Sequence, residues 1–338
     1  MKKFILSYIL LTLQLSTACA ASNETIWQPC LDLQKKQVVD KELDCYRNIV
    51  QGQSSSINKT LLMTTRPRGL LNEWHPANTL LNVYKLNYLL VFSRSSKTNN
   101  TPSSPNPQNQ VLAASTQDDR DLKFQFSIKH DLADMGKHGS LWFGYTQQSF
   151  WQLYDAINSR PFRENNYEPE LIYSLRPNEL LPEFALNPDI FNIGLVHQSN
   201  GQSNPRSRSW NRIYIQPGIE RNYGNGKRLI LLVRLWQRIK EPALSDDNPD
   251  ITDLMGYGDV ELRYSLDGKW EATAIARSKS FQLNLAAPWD SIRLLTLAAP
   301  GEHNTNIHLQ YFSGYGESLI DYNHKHTSWG VGLSFPFD

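Results

Sequence analysis

The chain has 338 residues and a formal net charge of +1. That balance gives no reason to expect a nucleic-acid partner, and the length is ample for a sizeable core or a closed barrel. After residue 20 the longest apolar run is Leu229 to Val233, far short of the ~20 residues that a membrane-crossing helix needs.

Taken in chain order, the first element is a predicted secretory signal over 1–20. Lys2 and Lys3 form its positive end, Phe4 to Leu13 its apolar run, and Ala18-Cys19-Ala20 a small-residue cleavage site. An uncleaved N-terminal anchor and a lipidated Cys19 are the alternatives. Residues 21–75 carry Cys30 and Cys45 but no period-two pattern, and read as a periplasmic extension. Two cysteines in an exported chain can form a disulfide; metal ligation and two free thiols stay open.

From 76 to 338 the apolar residues alternate with polar ones. In KFQFSI, Phe124, Phe126 and Ile128 oppose Lys123, Gln125 and Ser127; in DVELRYSL, Val260, Leu262 and Tyr264 oppose Asp259, Glu261 and Arg263. Strict alternation predicts strands. About twelve such segments follow one another, near 80–92, 121–129, 139–150, 168–176, 190–199, 208–218, 228–238, 257–266, 269–277, 279–287, 306–313 and 326–337. An even count with one greasy face predicts a twelve-stranded antiparallel transmembrane β-barrel. Charges such as Arg228, Arg234, Arg238 and Glu261 then face a lumen, where they must pair. Phe150 and Trp151 read as interfacial aromatics. Two polar stretches, 94–110 and 241–256, read as loops.

One hairpin carries chemistry. In HQSNGQSNPRSRSWN, His197 and Ser199 continue the apolar face of Phe191, Ile193 and Leu195, and Asn211 and Ser209 continue that of Ile213 and Ile215. A turn centred on Asn204 sets His197 opposite Asn211 and Ser199 opposite Ser209, with opposed Cβ atoms ~5 Å apart. Ser199 is then a candidate nucleophile, His197 its base, and Asn211 the residue that orients the imidazole. A neutral third member suits a lipid face, where a carboxylate is expensive. A plain hairpin with a histidine at the interface is the bland reading.

The same hairpin resembles the active-site hairpin of the outer membrane phospholipase A family. YTQQSFWQL (145–153), PFRENNYEPEL (161–171), DDNPDIT (246–252) and SGYGESLIDYN (313–323) resemble further blocks of that family in the same order. The resemblance covers roughly 76–338. It implies a calcium-dependent hydrolase of sn-1 and sn-2 acyl esters of phospholipids and lysophospholipids, embedded in the bacterial outer membrane with the active-site end outward, and active as a homodimer. It implies the triad Ser199, His197 and Asn211, and an oxyanion hole at the Gly201 amide. For Ca2+ it implies the Gln202 backbone oxygen, Ser207, and Ser159 of the other protomer, with Asp247 at a second, monomer-linked site. Gln147 is implied at the dimer interface. Gln202 stands where the family has Arg, and Asn204 where it has Asp, which weakens that second site. The extension and the 94–110 loop lie outside the resemblance. A pore or scaffold with a vestigial triad is the rival reading, and a soluble periplasmic sandwich a third.

Overall fold

The structure, a computed structural model, describes residues 69–76, 81–177, 188–266, 270–289 and 305–335, all within one compact unit. The predicted signal, Cys30, Cys45 and the terminal Phe337-Asp338 lie outside the described residues.

The strands are β1 Asn82–Val83, β2 Asn87–Ser95, β3 Arg120–Asp134, β4 Ser140–Trp151, β5 Phe162–Leu175, β6 Ile190–Ser199 and β7 Ser209–Gly224. They continue as β8 Lys227–Ile239, β9 Gly258–Leu266, β10 Trp270–Arg277, β11 Ser280–Pro288, β12 Asn306–Gly314 and β13 His326–Phe335. Each long strand pairs antiparallel with its chain neighbour. β13 pairs with β2, and β3 with β4, so the twelve long strands close on themselves. Closure is what lipid demands, because an open sheet edge there leaves each backbone amide without a partner at several kcal/mol.

The first predicted strand, 80–92, is broken. β1 pairs with β3 ahead of β2, and Tyr84 and Lys85 between them both turn to the lumen. The Tyr84 hydroxyl donates to Glu170 (3.2 Å), and Lys85 Nζ meets Glu168 (2.5 Å) and Glu170 (2.6 Å). Two successive side chains cannot point the same way from a regular strand, so pairing stops there.

Alternation sorts the two faces. Leu195 and Ile213 are 50% and 49% exposed on the outer wall, whereas Lys123, Lys129 and His308 are buried inside. The lumen charges pair: Arg212 with Glu168 (2.9 Å), Arg234 with Asp259 (2.7 Å). These pairs join strands on one side of the wall, Arg234 and Asp259 standing opposite each other on β8 and β9. Phe150 corrects an expectation. It is 2% exposed and faces inward on the same parity as Trp142 and Gln148, with Arg163 4.7 Å from its ring. Trp151 keeps the outer face and stacks on Phe162 at 5.4 Å.

One end of the lumen is closed by α1 (Leu70–Glu73) and Trp74. Leu70 and Trp74, which the sequence pattern leaves with the extension, are buried with Tyr84, Trp142, Ile172 and Leu232. Trp74 meets Trp142 edge-on at 5.8 Å, a contact that contributes ~0.5–1.5 kcal/mol beyond burial. At the opposite end, α2 (Ile251–Met255) and the 315–325 loop cover a second cluster of Val196, Trp210, Tyr214, Trp236, Leu319 and Tyr322. The loop of the β6–β7 hairpin, 200–208, springs from that covered end.

Candidate active site

β6 and β7 pair in the expected register, His197 opposite Asn211 and Ser199 opposite Ser209. His197 is exposed on the outer wall, while Ser199 and Asn211 are half-buried there. His197 Nδ1 lies 2.8 Å from Asn211 Oδ1. The Ser199 hydroxyl makes no hydrogen bond to the imidazole here; the two share a face, ~6.6 Å apart along the strand. The Asn211 amide nitrogen is itself held, donating to Glu241 Oε1 at 2.8 Å. Glu241 follows β8 in the 240–257 connection. Burial raises its carboxyl above the usual value, and the Asn211 hydrogen bond works against that rise.

The loop between the strands is stitched by Asn200. Its amide donates to the Arg206 carbonyl (2.8 Å), and its side-chain oxygen accepts from the Arg208 amide (2.9 Å). The other motifs of the sequence converge beneath this loop. Glu164 accepts from Gln202 Nε2 (2.7 Å) and from the Ile320 amide (3.0 Å). Arg163 pairs with Asp321 (2.6 Å), and Asn166 accepts from the Leu319 amide (3.0 Å). Asn248 accepts from the Ser209 amide (3.0 Å), and the Tyr322 hydroxyl donates to Asp250 (2.5 Å). Blocks far apart in sequence thus form one bracket that sets the height and angle of the hairpin. In SGYGES, Gly316 has φ +73, and a Cβ there would meet Met255 Sδ at 2.0 Å.

The predicted calcium ligands divide. Ser207 Oγ donates to Asp247 Oδ2 (2.6 Å), so these two are together. Asp247 Oδ1 (3.2 Å), Asn204 Oδ1 (3.1 Å) and the Ser207 carbonyl (2.9 Å) surround one nitrogen, Nδ2 of Asn109. An amide offers two hydrogens, so three acceptors there are more than it can serve well. The donor set is all oxygen, with one carboxylate, which fits a hard cation such as calcium. Among the described residues no group of three or more His, Cys, Asp or Glu side chains is gathered for a softer metal. Ser159 lies exposed in the β4–β5 turn with φ +62 and makes no hydrogen bond to this group within one chain. Asn109 and Glu241 are the residues that sequence reasoning misses. Asn109 comes from the Pro/Asn/Ser loop and is fully buried, and nothing in that composition marks it.

Gln147 lies on the outer wall. Its amide donates to Ser149 Oγ (3.1 Å) and its oxygen accepts from the Tyr145 hydroxyl (3.1 Å). The ladder runs Gln147, Tyr167, Ser199 across β4, β5 and β6. Two strand spacings, ~10 Å, separate the amide from the candidate nucleophile. Gly201, the predicted oxyanion donor, has φ +63, and a Cβ there would come 3.1 Å from Tyr167. A Gly201→Ala protein is expected to fold and to lose at least tenfold in kcat, since a misplaced oxyanion donor costs ~10²–10³. Steady-state hydrolysis, with gel heat-modifiability as the folding control, checks this; unchanged kcat would remove Gly201 from the site.

The family model for Phospholipase A1 matches residues 71–335. The chain belongs to the phospholipase A1 family. Within it, the chain is 38% identical to the phospholipase A1 of Escherichia coli over 215 residues, 63% of this chain and 68% of that one. It is 39% identical to a Neisseria meningitidis relative over 253 residues, and the match spans 63% of that relative's length, less than two thirds. Among solved structures, outer membrane phospholipase A from Escherichia coli superposes with a TM-score of 0.61 at 32% identity, covering 75% of this chain and 98% of that one. The Salmonella typhi outer membrane phospholipase, a dimer with bound calcium, gives 0.63 at 30%, covering 79% and 97%. A third structure is an active-site mutant of the Escherichia coli protein with alanine in place of an asparagine (TM-score 0.61, 30% identity). With those relatives this family member shares the closed twelve-stranded wall of a bacterial outer-membrane barrel.

Proposed function

We propose that this chain is a calcium-dependent phospholipase that hydrolyses sn-1 and sn-2 acyl esters of phospholipids and lysophospholipids. The observation that carries the proposal is the His197–Asn211 pair on the lipid-facing wall, in register with Ser199. A catalytic set inside the lumen could not meet a bilayer lipid; one on the outer wall can. Ser199 Oγ attacks the ester carbonyl carbon and its proton passes to His197 Nε2. The leaving oxygen takes that proton as the ester bond breaks. Water then attacks the acyl-enzyme by the same route and frees the fatty acid. The Gly201 amide faces the developing oxyanion. The asparagine of the Escherichia coli active-site mutant supports the role given to Asn211.

Calcium would be held by the Gln202 backbone oxygen, Ser207 and the partner's Ser159, and would supply a positive charge that polarises water beside the oxyanion. Because that set needs two protomers, calcium binding and dimerisation are linked, each strengthening the other. Asn204 brings no charge to the Asp247 group, and Asn109 already lies among its oxygens, so the monomer is expected to bind calcium weakly. The test is phospholipid and lysophospholipid hydrolysis in detergent, with calcium or with chelator, at several protein-to-detergent ratios. Chelator should silence the protein, and calcium affinity should fall as the crosslinked dimer disappears. An affinity that does not change on dilution would place calcium within one chain.

A further inference from the structure

We propose that Glu241 is a positioning residue for the catalytic histidine, acting through Asn211 to select the imidazole tautomer. The inference rests on the triad reading above and extends it by one residue.

An asparagine side chain is nearly symmetric. Its oxygen and nitrogen occupy similar positions, and a half-turn of the amide exchanges acceptor for donor. In the site this ambiguity matters. If Asn211 presents its oxygen, His197 must carry a hydrogen on Nδ1, and Nε2 keeps the lone pair that receives the serine proton. If Asn211 presents its NH2 group, the lone pair is drawn to Nδ1, the hydrogen resides on Nε2, and the base is lost. An asparagine alone does not decide between these states. An aspartate would, because a carboxylate only accepts.

Glu241 supplies that decision from one residue further out. Its carboxylate receives the Asn211 Nδ2 hydrogen at 2.8 Å, and it cannot donate in return when ionised. The amide nitrogen must face Glu241, so the oxygen must face His197, where it lies 2.8 Å from Nδ1. The backbone places it there. Asn211 pairs with Ile239 at the end of β8, and Glu241 is two residues beyond, where the strand has ended and Pro242 turns the chain. Glu241 is half-buried, while Ile239 is 42% exposed on the outer wall. The charge therefore sits past the end of β8, and only the neutral amide enters the wall facing lipid. His197, Asn211 and Glu241 form a relay in which every donor and acceptor has one consistent direction.

The test uses full-length protein in detergent with calcium. Glu241→Ala should lower kcat about tenfold with KM little changed, as expected for losing one charge-assisted hydrogen bond that holds the base. Glu241→Gln offers an amide that presents either its oxygen or its NH2 group, so it should fall between the parent and Glu241→Ala. Glu241→Lys offers only donors, favours the reversed amide, and should fall furthest, by about a hundredfold. Labelling of Ser199 by a fluorophosphonate should slow in the same order. The deciding comparison is an Asn211→Ala background, where Glu241→Ala should add no further loss, because the effect passes through the amide. Equal losses in both backgrounds would overturn the proposal, as would Glu241→Lys matching Glu241→Ala. If Asn211→Ala lowers the rate and Glu241→Ala does not, this inference alone falls. If Asn211→Ala leaves the rate unchanged, the triad reading falls and the inference with it.

Discussion

Ser199→Ala is expected to reduce phospholipid hydrolysis to background, a loss of roughly 10⁴-fold or more. Alanine has no oxygen to form the acyl-enzyme. Asn211→Ala should behave differently. The imidazole keeps its basicity and loses its orientation, so turnover falls by about 10- to 100-fold but stays measurable. The two variants are distinguished by a fluorophosphonate probe as well as by rate. Ser199→Ala should take up no label, and Asn211→Ala should label slowly. Both substitutions remove polar atoms from the outer wall and leave the lumen pairs untouched, so heat-modifiable migration should match the parent protein. Continued lipid hydrolysis by Ser199→Ala would refute the nucleophile assignment.

A residue's role is legible in the sequence when the force that selects the residue is local. The barrel is legible, because lipid on one side and water on the other impose period two on every strand. The register of β6 and β7 follows from the same parity once the turn is centred on Asn204. The exceptions are segments where both faces are polar. β5 begins at Phe162, several residues before the predicted 168. Arg163, Glu164, Asn165 and Asn166 carry no apolar alternation, since their inner members bracket the hairpin and their outer members lie near the strand end. Phe150 departs from expectation for a related reason. An aromatic inside the lumen pairs its face with Lys123 and Arg163, and composition does not separate that from an interfacial aromatic. Asn109 and Glu241 are illegible because each acts through hydrogen bonds to partners 98 and 30 positions away in the chain. Nothing in a Pro/Asn/Ser loop or a Lys-Glu-Pro turn distinguishes a residue that reaches the site from one that faces water. In physical terms, periodicity reports the solvent on each face of a strand, and says little about which loop folds over its end.

The largest effect on stability is expected at Glu317. Its carboxylate meets Lys123 Nζ at 2.8 Å, His326 Nε2 at 2.6 Å and Ser328 Oγ at 2.6 Å. Lys123 is 0% exposed, and its other hydrogen-bond partners, Gln310 at 2.6 Å and Tyr88, are neutral. Glu317→Ala therefore leaves a buried ammonium without a counter-charge, which typically costs ~3–5 kcal/mol. That exceeds the loss expected from any one outer-wall side chain. The same variant should also lose activity. Residue 317 begins the segment whose Leu319 and Ile320 amides bond Asn166 and Glu164, and Glu164 holds Gln202 in the 200–208 loop. A charge-neutral double variant separates the two causes. Lys123→Met with Glu317→Gln removes both charges and keeps an acceptor for Ser328, so it should regain most of the stability lost by Glu317→Ala. Urea titration of folding into detergent micelles, read by heat-modifiable migration, gives the stability of each variant. If Glu317→Ala stays within ~1 kcal/mol of the parent, the ammonium has found water or another acceptor, and the lumen is wetter around Lys123 than its burial indicates.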